Sequence, residues 1–144
     1  MKIGNAASRI ALAAALTAIA PLAARAVEPI KGGEWQFTTH MQLPGMTQAA
    51  VGQGMTRTAC INPANPIPAD TGCQLGSVNR NGGVVSWTMT CSSPIGPIQS
   101  AGSARYLGDT MQATLTAQIP DSNGQPTNAP GTITGRYLGP CTER

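Results

Sequence analysis

The side chains in this 144-residue chain best equipped for chemistry are its four cysteines, its single histidine and its methionines. His40, Met41, Met46 and Met55 fall close together, and thioether with imidazole is a donor set that selects Cu(I). Strand-like alternation across this stretch puts His40 and Met41 on opposite sides, so joint ligation would require a bulge. Methionine as adaptable core filler is the simpler reading, and the soft-metal site stands as the alternative function. Acid–base or nucleophilic catalysis needs partners within hydrogen-bond reach. His40 has no second histidine, and Glu28, Glu34, Asp70, Asp109, Asp121 and Glu143 fall mainly at termini and turns. The expectation is a non-catalytic protein with no cofactor.

The cysteines, Cys60, Cys73, Cys91 and Cys141, contain no C-x-x-C pair, which removes a thioredoxin-type site and a zinc ribbon. An even number in a small exported chain reads as two disulfides. Cys73–Asn79 and Val84–Cys91 flank Asn81-Gly82-Gly83, a hairpin signal. With Arg80 opposite Val84 across a three-residue loop, Cys73 lies opposite Cys91, Leu75 opposite Met89 and Ser77 opposite Trp87, all on one face. A two-residue loop would shift this register by one. On that reading Cys73 bonds Cys91, and Cys60 bonds Cys141 by exclusion.

Those elements sit behind an N-terminal leader. Lys2 and Arg9 precede an apolar run from Ile10 to Ala20, Pro21 ends it, and Ala24-Arg25-Ala26 is a small-x-small cleavage signal. The run is short of the ~20 apolar residues that span a bilayer. The chain therefore divides into a signal peptide, 1–26, and a single β domain, 27–144. The mature protein is expected in the periplasm or outside the cell. Three of the nine basic residues leave with the leader, so six basic residues face six acidic ones. A neutral chain lacks the clustered Lys and Arg that displace counterions from nucleic acid or hold an anionic membrane.

The remainder, rich in Gly (17) and Pro (12), reads as short strands joined by turns. Trp35, Phe37, Thr39 and Met41 alternate with Gln36, Thr38, His40 and Gln42, and Met111, Ala113, Leu115, Ala117 and Ile119 alternate with Gln112, Thr114, Thr116 and Gln118. Such alternation predicts antiparallel sheet with one face buried and the other wet. Further strands are expected over Met55–Ile61, Ser103–Leu107 and Gly131–Leu138. The segment 62–68, with three prolines, and the segment 120–130 are expected as loops. The fold class is all-β: an antiparallel meander of six or seven strands, a curved sheet or partly closed barrel, stapled by two disulfides. A transmembrane barrel would need at least eight longer strands with aromatic girdles, and the chain has five aromatic residues.

Gly33-Glu34-Trp35, Thr58-Ala-Cys-Ile61, Val85-Ser-Trp-Thr-Met-Thr-Cys91 and Arg136-Tyr-Leu-Gly-Pro-Cys141 stand in an order that resembles the exported bacterial family catalogued as domain of unknown function three-six-one-seven. The resemblance runs from about Val27 to Thr142, with a longer, less Met-rich stretch at Asp121–Pro130. It implies a small periplasmic protein with paired cysteines and carries no activity. The functional expectation is an exported β-protein that binds an unknown protein or an apolar small molecule, without nucleic acid and without a membrane span. The apolar sheet face would take such a ligand, while a sheet edge or the 44–54 loop would take a peptide strand.

Overall fold

The computed structural model describes residues 29–43, 45–47 and 54–142. The expected leader lies outside the described residues, as does most of the 44–54 loop. Seven strands form one antiparallel sheet: β1 Gly33–Met41, β2 Met55–Ile61, β3 Cys73–Asn81, β4 Val84–Cys91, β5 Ile98–Leu107, β6 Thr110–Pro120 and β7 Pro126–Gly139. Their order across the sheet is β2-β1-β7-β6-β5-β4-β3. β3 to β7 run as a meander, and the β1–β2 hairpin docks on the far side of β7. The sheet curls into a half-barrel whose edges are β2 and β3. Among the described residues no helix is long and apolar enough to cross a membrane.

Alternation decides which face is buried. Trp35 and Phe37 of β1, Val85 and Trp87 of β4, Tyr106 of β5 and Met111 of β6 line the concave face and are almost inaccessible. Across the central strands the same face carries small residues, including Ala104, Ala113 and Gly135. These small residues, interspersed among the large ones, leave room for a seven-stranded sheet to curl around the aromatic side chains. Gly102 shows the limit: a Cβ there would lie 2.4 Å from the Trp87 indole. The Trp35 ring meets Tyr106 and Tyr137 edge to face, at centroid distances of 5.4 and 5.6 Å. Its Nε1 donates to the Lys31 carbonyl at 3.0 Å, so the indole is buried with its polar atom satisfied.

Both expected disulfides are present, Cys60–Cys141 and Cys73–Cys91. The hairpin that joins β3 to β4 differs from expectation. Asn81 pairs with Val84, Arg80 with Val85 and Val78 with Trp87, so the turn is the two-residue Gly82-Gly83 rather than a three-residue loop. Gly82 adopts φ 62°, the positive φ that such tight turns use. A bulge between Leu75 and Val78 then restores Cys73 opposite Cys91 and Leu75 opposite Met89. The displaced Ser77 N–H donates to Thr88 Oγ1 at 2.9 Å. That hydroxyl occupies the space a Cβ on residue 76 would need, 2.6 Å away, and only glycine fits there.

β7 also begins earlier than the turn residues suggested, at Pro126 rather than Gly131. Its first residues pair with β6, Pro130 facing Thr116, whereas β1 pairs with β7 no further than Gly131. There β7 is an edge strand, and an edge tolerates prolines that lack a ladder donor. The loop shrinks to 121–125, where Asp121 accepts from the N–H groups of Asn123 and Gln125.

A strapped cavity as the candidate functional site

The connection from β2 to β3 must travel from one edge of the sheet to the other. It does so as a strap, 62–72, across the open side of the half-barrel. Its prolines deny it helix or ladder bonds, and side chains of the sheet hold it instead. Tyr106 Oη donates to the Pro66 carbonyl at 2.9 Å. Arg80 Nη2 donates to the Pro63 carbonyl at 2.6 Å, and Arg57 Nη2 to that of Pro68 at 3.4 Å. Arg57 also pairs with Asp70 across the strap. Pro66 and Ile67 turn inward and are buried. Burial pushes the Tyr106 phenol up to about 12, against a smaller opposing pull from the Arg80 charge. The phenol is therefore a fixed donor at neutral pH.

The strap closes the Trp35–Tyr106 half of the concave face. Toward the other half, Thr39, Met89, Leu115 and Ile133 are half-buried. Between them and the underside of the strap lies a cavity of about 150 Å³. Phe37, Trp87, Met89, Leu115, Ile133 and Ile67 give it apolar walls, and Arg57 with Asp70 stands at its mouth. The two side chains of that pair keep 39% and 68% of their exposure, so the charges face solvent while the interior behind them is apolar. A broader depression on the convex face is floored by Ser103, Gln112, Thr114, Thr132 and Thr134 and has no aromatic wall.

The strand register separates the histidine from two of the methionines. His40 lies opposite Thr132 on the convex face, its ring against Gly54. Met41 lies on the concave side with its sulfur against Gly131. Met55 pairs with Thr39 and so shares the Met41 side, and its side chain is largely exposed, as is that of Met46. Among the described residues no three His, Cys, Asp or Glu side chains cluster as a metal site would require. Asp70 goes to Arg57, Asp109 to Lys31 and Asp121 to its own turn, while Glu34 accepts from Thr142.

Sequence reasoning placed all four cysteines but missed the strap and the Arg57–Asp70 pair. The available signal was Ile67, an apolar residue between two prolines in a loop that had no other reason to carry one. Arg57 was legible only as a strand residue.

No curated protein and no solved structure matches the chain. A family model described as a protein of unknown function, DUF3617, matches residues 30–141, which includes every described strand, the strap and both disulfides. The chain belongs to the DUF3617 family.

Proposed function

We propose that this is an exported, non-catalytic protein that holds an apolar group in the cavity beneath the strap. The observation that carries the reading is the incompletely filled concave face. Sheet and strap could have met in a packed core, yet about 150 Å³ stays open behind Phe37, Trp87 and Leu115. An apolar cavity of roughly this volume accepts a benzene-sized guest. It is below the ~300–1,000 Å³ of pockets that enclose drug-sized ligands. The guest is accordingly a small apolar molecule or the apolar end of a larger one. Export is supported by the leader pattern and by two disulfides, which persist in oxidising compartments.

Benzene titration followed by methyl NMR tests the site. Saturable shifts at Met89, Leu115 and Ile133 are expected, and Ser100→Phe, which projects a ring into the cavity, abolishes them. Unchanged methyl signals up to benzene saturation overturn the reading. Cell fractionation with intact-mass analysis tests export, with a mature chain beginning at Val27 as the expected result. A product that retains Met1 overturns it.

A further inference from the structure

The mouth of the cavity carries an ion pair although its interior is apolar. Arg57 is half-buried and Asp70 exposed, and they neutralise each other across the opening. Arg57 reaches the mouth because it stands opposite Phe37 on the concave side of β2. Asp70 reaches it from the strap, three residues before Cys73. A ligand with its apolar end in the cavity holds its head against this pair. An anionic head gains Arg57 but meets Asp70, and a cationic head gains Asp70 but meets Arg57. Either one must also compete for a charge that already has a partner, at a desolvation cost an uncharged head avoids.

We infer that the cavity takes the apolar end of an uncharged amphiphile, and that the Arg57–Asp70 pair discriminates against heads of either sign. The inference rests on the proposed apolar site and names the class of ligand that fits it. Because the pair is solvent-exposed, the discrimination is modest, roughly threefold to fivefold at low salt, and salt weakens it.

A matched series with one tail and three heads tests this: hexan-1-ol, hexanoate and hexylammonium at pH 7, read by the same methyl shifts. In the native protein hexan-1-ol binds most tightly. Asp70→Asn brings hexanoate up to hexan-1-ol or beyond it while hexylammonium stays weak, and Arg57→Gln does the reverse. Equal binding of all three by the native protein, with the cavity methyls shifting, overturns the head-group inference and leaves the cavity reading standing. No shift with hexan-1-ol overturns both. Uniform weakening in both variants, without the reciprocal change, reduces the pair to a latch for the strap and also overturns the inference.

Discussion

The phenolic oxygen of Tyr106 and the carbonyl of Pro66, forty residues apart in the chain, are joined by a buried hydrogen bond of 2.9 Å. One end belongs to the fifth strand and the other to the strap, so this contact couples the roof of the half-barrel to its wall. Pro66 has no side chain able to fix itself and no N–H, which makes its carbonyl the remaining polar handle.

Tyr106→Phe keeps the ring and removes the donor. The Pro66 carbonyl is then buried without this partner, and a loss of about 1–3 kcal/mol is expected. Urea unfolding measures it. Faster amide exchange in the strap than in β5 should accompany the loss, since the wall keeps its ladder bonds and the roof does not.

The raised phenol predicts an alkaline instability. Tyr106 titrates at about 12 in the fold against 10.0 unfolded. Between those values the unfolded chain has released a proton that the native chain keeps, so stability falls as pH rises. The stabilisation is fully present below pH 10 and is lost as pH rises through about 12, and the shift corresponds to at most about 3 kcal/mol. Unfolding free energies from pH 9 to 11.5 check this against Tyr106→Phe, which should lack that component of the slope.

Gly102→Ala is expected to cost about 1–3 kcal/mol through overpacking. The added Cβ would sit 2.4 Å from Trp87 and 2.9 Å from the Thr114 carbonyl, so both the indole and the neighbouring strand resist it. Gly72→Ala supplies the contrast. Nothing lies within 4 Å of its added Cβ, so its cost is the backbone strain of φ 87° alone. Thermal unfolding of the two variants, with tryptophan fluorescence as probe, separates packing from strain: only Gly102→Ala should perturb the Trp87 emission.

The two disulfides flank the strap, Cys60 just before it and Cys73 just after, and they close loops of 81 and 18 residues. Chain entropy assigns about 4.5 kcal/mol to the longer and about 3 kcal/mol to the shorter. The paired replacement of Cys60 and Cys141 by serine should therefore lower stability more than that of Cys73 and Cys91. Equilibrium denaturation of the two double variants gives the order, and the opposite order would show that native packing around Cys73 and Cys91 outweighs loop length.

Much of the architecture is written locally. The alternation in Trp35–Met41 and Met111–Ile119 decides which side chains share a face, because a strand sends successive residues to opposite sides whatever lies beyond it. The Asn-Gly-Gly signal set the β3–β4 hairpin, and with it the Cys73–Cys91 pair. The detail was beyond local reading, since a tighter turn and a bulge at Gly76-Ser77 shift the register in opposite senses and cancel. The bulge depends on the Thr88 hydroxyl, which belongs to the opposing strand.

Tertiary structure decided the rest. β1 joins β7 with Gln36 opposite Arg136, a hundred residues on, and nothing in either strand specifies that neighbour over another of like pattern. Pro126 and Pro130 read as loop until β1 is seen to stop pairing at Gly131, which turns that part of β7 into an edge. The strap, its buried Ile67 and the cavity follow from β2 and β3 ending on opposite edges of one curled sheet. A segment of prolines carries no periodicity of its own, so its course is set by the distance it must cross and by the side chains it meets there.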